Sequence, residues 1–112
     1  MKRTKQVILT ASMKATSAWP PNRCINYAGA QAAAGDTVIG ISVDEADVGD
    51  VAAVDVRGIA IVEAGAAVAV GQELMVAAQG LAVPLAGTVK PIGNALDAAT
   101  AVGEFIRVLL KG

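Results

Sequence analysis

The sequence predicts a mainly β protein: a small pseudo-symmetric β-barrel or β-sandwich made of two strand-turn-strand repeats, preceded by an extended N-terminal arm. Three observations lead there. The segment VIGISVDEADVGDVAAVDVRG at 38–58 is echoed by PIGNALDAATAVGEFIRVLLKG at 91–112, and internal self-similarity is the strongest organisational signal a single chain can carry. From residue 36 onward the chain is a series of short apolar runs punctuated by glycine, such as DTVIGISV, GIAIVEAG and QELMVAAQG, which is the spacing of strands in a small all-β domain. Finally, hydrophobic residues make up 54% of the 112 residues while aromatics make up 3%, so the apolar content is alanine and valine, suited to pleated, closely packed strands.

Each element follows in order. Residues 1–24 read as the arm: Pro20 and Pro21 in TSAWPPN lock the backbone into an extended path and remove ladder donors. Trp19, the single tryptophan, has two readings here, an anchor at the end of the arm or a plug for the chain's own barrel. Residues 25–112 read as one β-domain. Within it Ile39-Gly40 answers Ile92-Gly93, Val43-Asp44 answers Leu96-Asp97, and Val48-Gly49-Asp50 answers Val102-Gly103-Glu104. After a one-residue insertion near Ala101, Val54 answers Val108 and Val56-Arg57-Gly58 answers Leu110-Lys111-Gly112. The acidic link inside each repeat is a turn, with Gly49 and Gly103 supplying a backbone angle that a larger residue resists. In the last strand Ile106, Val108 and Leu110 fall on one face and Phe105, Arg107, Leu109 and Lys111 on the other. The earlier copy sets Ala52, Val54 and Val56 against Val51, Ala53, Asp55 and Arg57 in the same way.

Composition excludes several function classes. The chain has no histidine, no Gly-x-Ser-x-Gly elbow and no phosphate-cradling glycine loop, so acid–base and nucleophilic catalysis lack their usual groups and the reading is non-enzymatic, with no cofactor. Cys24 is the lone cysteine; without a histidine to activate it, it reads as a small buried hydrophobe. Asp44, Glu45, Asp47 and Asp50 suggest calcium, but Ala46 and Val48 stand where an EF-hand loop needs oxygen donors, so the cluster reads as a solvated turn and no metal is expected. Ser12-Met13-Lys14-Ala15 departs from the Met-Lys-Met of biotin carriers and lies outside both repeats. No apolar run approaches the roughly 20 residues of a membrane span, and Thr10, Ser12 and Lys14 interrupt the opening too early for a secretory leader.

Net charge is −1, yet Lys2, Arg3, Lys5, Lys14 and Arg23 all lie within residues 1–35, where no acid occurs, while four basic and ten acidic residues lie from residue 36 onward. The spaced positives lack interleaved aromatics and any reading motif, so direct nucleic-acid binding is not expected. A mean hydropathy of +0.56 in so small a chain predicts that surplus apolar surface is covered by other chains, as in a homo-oligomer.

Residues 35–112, with the twice-repeated order hydrophobic-Gly-hydrophobic, Asp-Ala, Gly-acid, alternating strand and basic-Gly, resemble the capsid cement, or head decoration, proteins of tailed bacteriophages. Val70-Gly71-Gln72-Glu73-Leu74 and Gln79-Gly80-Leu81-Ala82 resemble the strand end and hairpin that family places between its copies. The resemblance implies a decoration protein, made in the host cytoplasm, that sits as a homotrimer on the outer surface of the mature virion head, bridging major capsid protein subunits against the pressure of packaged DNA. Lys2, Arg3, Lys5 and Trp19 are then the expected capsid contacts. Two alternatives remain open at this point: a self-assembling shell subunit, and an accessory or carrier β-domain of a larger complex.

Overall fold

A computed structural model describes residues 6–87 and 91–110 of the chain. Among them are eight strands: β1 (Gln6–Lys14), β2 (Cys24–Asn26), β3 (Val38–Ser42), β4 (Val51–Glu63), β5 (Glu73–Val76), β6 (Ala82–Pro84), β7 (Gly93–Ala95) and β8 (Phe105–Leu110), with a single 3-10 turn at Ala78–Gly80. They form one antiparallel sheet in the order β2-β3-β4-β8-β7-β5-β6, with β1 added to β4. The sheet curls into a nearly closed, barrel-like form with essentially no helix, as the fold class predicted.

The first correction concerns the arm. Gln6–Lys14 is not a free extension but a sheet strand, running antiparallel to β4 from Gln6 opposite Ile59 to Lys14 opposite Val51. Its N-terminal half is bulged between Val7 and Thr10, where the β4 partner is Gly58 with φ 99°. Pro20 and Pro21 sit in a turn after β1 and not in a linker. They are placed where the backbone does not call on their missing donors: among the described residues the second-copy positions, Ala69 and Val70, make no backbone hydrogen bond through nitrogen, Ala69 N–H going instead to Gln72 Oε1 at 3.0 Å.

With β1 in the sheet, the repeat covers the whole described chain. Ala15 N–H donates to Asp50 O and Gly49 N–H to Ala15 O, both at 2.8 Å; Ala64 N–H donates to Glu104 O at 2.8 Å and Gly103 N–H to Ala64 O at 2.9 Å. Trp19 and Ala46 exchange two backbone bonds, and Val68 and Ala99 exchange the same two. Asn22 N–H donates to Ser42 O and Gly71 N–H to Ala95 O, and both donors have left-handed φ, 60° for Asn22 and 84° for Gly71, the conformation that asparagine and glycine tolerate best. So β1 with the first half of β4 corresponds to the second half of β4 with β8, and one long strand serves both copies.

The cores obey the same rule. A smaller cluster buries Ala15, Trp19, Ile25, Ala46 and Val54, flanked by Met13, Ile39, Ala52 and Val56. Their counterparts, Ala64, Val68, Leu74, Ala99 and Val108, flanked by Val62, Ile92, Ile106 and Leu110, all belong to the larger cluster. That cluster also takes in Cys24, Ala32 and Ile41 from the first copy, which is where the two halves join. Gly40 and Gly93 hold equivalent places: a Cβ on either would collide with the backbone oxygen of the partner strand, Asp55 O for Gly40 and Leu109 O for Gly93.

Trp19 is 2% exposed inside the smaller core, so the plug reading applies. Replacing Trp19 with Ala removes its largest side chain and is expected to cost about 3–5 kcal/mol in urea unfolding, a large part of the stability of a domain this size; a surface anchor would change it by less than about 0.5 kcal/mol.

Candidate interaction surface

Each repeat presents one acidic, apolar-tipped turn. In the first, Asp50 Oδ2 accepts from Asp47 N–H at 3.0 Å, and Gly49 takes φ 93° to reverse the chain. In the second, Glu104 Oε2 gathers Thr100 N–H and Ala101 N–H at 2.8 Å and the Thr100 hydroxyl at 2.6 Å, and Gly103 takes the same φ of 93°. A carboxylate that accepts local backbone donors closes the loop and leaves the preceding valine outside. Val48 and Val102 stand exposed at the tips, followed on the adjoining strands by the equivalent pair Val51 and Phe105. The chain thus displays the same polar-rimmed apolar tip twice.

The two turns differ in charge. Asp97 is spanned by Arg107, with Nε to Oδ2 and Nη2 to Oδ1 both at 3.0 Å and Arg107 N–H to Oδ2 at 2.9 Å. This forked pairing holds the guanidinium in its charged form, above its ordinary pKa. In the first copy the position of Arg107 is Ala53, and Asp44 is exposed. Glu45, Ala46, Asp47 and Asp50 there line an open depression of about 260 Å³. Among the described residues no three His, Cys, Asp or Glu side chains converge as a metal site.

Elsewhere the titratable groups serve the fold. Asp36 accepts from Ala33 N–H at 2.8 Å and Asn26 Nδ2 at 3.1 Å, which draws its carboxyl below the usual range. Asp55, buried in β4, accepts from the Thr10 hydroxyl at 3.1 Å, and Ser42 donates to Pro20 O at 2.7 Å while accepting from Arg23 N–H at 3.1 Å. Burial pushes the Cys24 thiol up to about 12, the state of a packing residue.

Of the expected capsid contacts, Lys2, Arg3 and Lys5 lie outside the described residues. Trp19 is brought into the core, its Nε1 without a hydrogen-bond partner among them, so its indole offers no surface to a capsid. What sequence reading passed over is the pair of apolar tips, although the repeat aligned Val48 with Val102 directly. It also passed over the junction between copies, where Arg23 meets Glu63 at 3.1 Å; nothing in local spacing links residues so far apart in the chain.

The geometry is that of a twice-repeated β-module whose outward features are exposed apolar tips and charged rims. Residues 2–110 match the phage cement proteins. The chain belongs to that family. It is thereby a structural protein associated with phage heads. Its fold is similar to that of the N base of the head fiber gp8.5 of bacteriophage phi29, with a TM-score of 0.77 and 22% identity over 92% of this chain and 93% of that one. No curated protein matches it.

The buried thiol makes stability depend on alkaline pH. The folded value near 12 stands above the ordinary 9.0, so the unfolded chain ionises first; the Cys24 contribution is intact below pH 9 and is lost as pH rises toward 12, at up to about 1.4 kcal/mol per pH unit. Subtracting the pH profile of Cys24→Ala, measured by urea unfolding, isolates that loss, and native Cys24 is expected to react with a thiol reagent only at the rate of unfolding.

Proposed function

We propose that this protein is a non-enzymatic decoration protein that binds the outside of the mature phage head, bridges major capsid protein subunits and stabilises the shell against packaged DNA. The observation that carries this reading is membership of the phage cement family across residues 2–110. The surface supports it: Val48, Val51, Val102 and Phe105 are large exposed apolar residues set in two equivalent positions, which suits a module meeting a lattice of repeated subunits. Exposed apolar groups with polar rims are the usual mark of protein contact.

The mechanism is multivalent. A homotrimer multiplies each weak contact through effective concentration. Binding only the expanded lattice stabilises that lattice by mass action. Lys2, Arg3 and Lys5 add a basic segment that engages acidic capsid surface, and that part of the grip weakens as salt screens it.

Co-sedimentation of the purified protein with expanded, undecorated heads tests the proposal. Saturable pelleting with heads, and a small soluble oligomer without them, is expected. Replacing Lys2, Arg3 and Lys5 with Ala is expected to lower affinity several-fold and flatten its salt dependence while the melting temperature holds. Formation of particles without heads would favour the self-assembling shell subunit instead.

A further inference from the structure

Inside the chain, the second copy closes over one face of the first. Asn22 caps the outer edge of β4: its carbonyl accepts from Glu63 N–H at 2.9 Å and its Nδ2 donates to Ile61 O at 3.1 Å. Beside it Arg23 pairs with Glu63 at 3.1 Å and donates to Gln79 O at 2.9 Å, Gln31 Nε2 also bonds Gln79 O, and Gly80 rests on the backbone of Cys24.

Carried forward by the repeat, the capping turn Asn22-Arg23-Cys24 becomes Gly71-Gln72-Glu73, and the capped edge, Ile61 and Glu63 of β4, becomes Ser12 and Lys14 of β1. Among the described residues no counterpart of Asn22 caps this second edge. Gln72 and Glu73 are exposed where Cys24 is fully buried, and Ser12 and Lys14 are exposed as well. Among the described strands β1 pairs only with β4, and at the end of that edge the chain's own Gly29 lies against Lys14 O. Ala15 directs its N–H to Asp50 O, so by the alternation of an antiparallel ladder Lys14 N–H and Ser12 C=O point outward, the donor and acceptor that Asn22 satisfies on β4.

The two hairpins are unequal. The β5–β6 hairpin, with Ala77 N–H bonded to Leu81 O, reaches across to Arg23 through Gln79; in the first copy Asn26 N–H already meets Ala30 O, and the tip of that shorter hairpin lies beside the end of β1, with Gly29 O accepting from Thr16 N–H at 3.0 Å.

We propose that a second copy of this chain closes the seam, laying its Gly71–Glu73 turn along the outer edge of its neighbour's β1 at Ser12 and Lys14. The inference rests on the reading of the protein as a small homo-oligomer. A second copy is the occupant the surface fits, because it carries a turn and an edge that correspond to the junction already formed once inside the chain, with the Gly71 carbonyl, which also accepts from Asn94 Nδ2 at 3.0 Å, in the place of the Asn22 carbonyl and without a counterpart of the Asn22 amide. The charges remain complementary with their signs exchanged, Glu73 facing Lys14 where Arg23 faces Glu63. Val70, 66% exposed beside Gly71, and Leu109, 47% exposed and directly opposite Asn94 on β7, border the same surface and are covered by the contact. Different patches meet, so the contact is heterologous and forms a ring where the rotation closes.

Sedimentation velocity of the full chain without heads tests this, using Lys14→Glu and Leu109→Asp, both at exposed positions, with cooperative melting as the control for folding. The wild type is expected to sediment as a small closed oligomer and each variant as a monomer. Mixed in equal amounts, the variants are expected to form a one-to-one dimer, since Lys14→Glu keeps an intact turn face and Leu109→Asp keeps an intact edge. Folded variants that retain the wild-type oligomer, or monomeric variants whose mixture forms no dimer, would overturn the seam while leaving the oligomeric reading in place. A wild type that stays monomeric at micromolar concentration would overturn both.

Discussion

β4 carries the fold. Its first half is held between β1 and β3 and its second half pairs with β8, so the closing strand of one repeat is also the opening strand of the next. Val54 enters the smaller core, whereas Ala60 and Val62 enter the larger. Between them Gly58, with φ 99°, is where the strand changes its neighbour from β1 to β8. Because the two copies share this backbone, neither core can be taken apart without opening strands of the other, and a small domain that removes only about 65% of its surface from water gains cooperativity from that coupling.

The carboxyl-terminal two thirds were legible because their pattern depends on local physics. A turn needing positive φ writes glycine at 49 and 103, and a half-buried strand writes alternation, as in β8 where Ile106 and Val108 are buried and Phe105 and Leu109 are exposed. The opening third was misread because its equivalence is geometric and not chemical. Trp19 occupies the place of Val68, Asn22 that of Gly71, and the two prolines that of Ala69 and Val70, substitutions that keep backbone angles and core position while erasing likeness of letters. Basic charge and Pro-Pro suggested an arm, yet only the spacing from Ala15 to Trp19, matching Ala64 to Val68, preserved the repeat, and spacing without similar residues carries little signal.

The site followed the same division. The tips at Val48 and Val102 could be read by aligning the copies, since exposed valine before a left-handed glycine recurs in both. Trp19 could not be placed, because a lone aromatic has the same composition whether it is a surface anchor or a core plug; its burial in the smaller core decides the matter. The Arg23–Glu63 pair depends on where the halves dock, which is a property of the assembled sheet.

Divergence between the copies is where a duplicated module acquires direction. The longer β5–β6 hairpin breaks the equivalence of the copies: Cys24, against which Gly80 rests, and Ile41 lie in the larger core, whereas their counterparts are polar, Glu73 exposed and Asn94 half-buried. Under the proposed contact between copies, polar replacement keeps this face soluble while apolar neighbours keep it adhesive, the compromise expected of a surface that is covered in an assembly. The acidic first turn and the Arg107-neutralised second turn add a further asymmetry of charge, so two tips of the same shape meet their surroundings with different electrostatics.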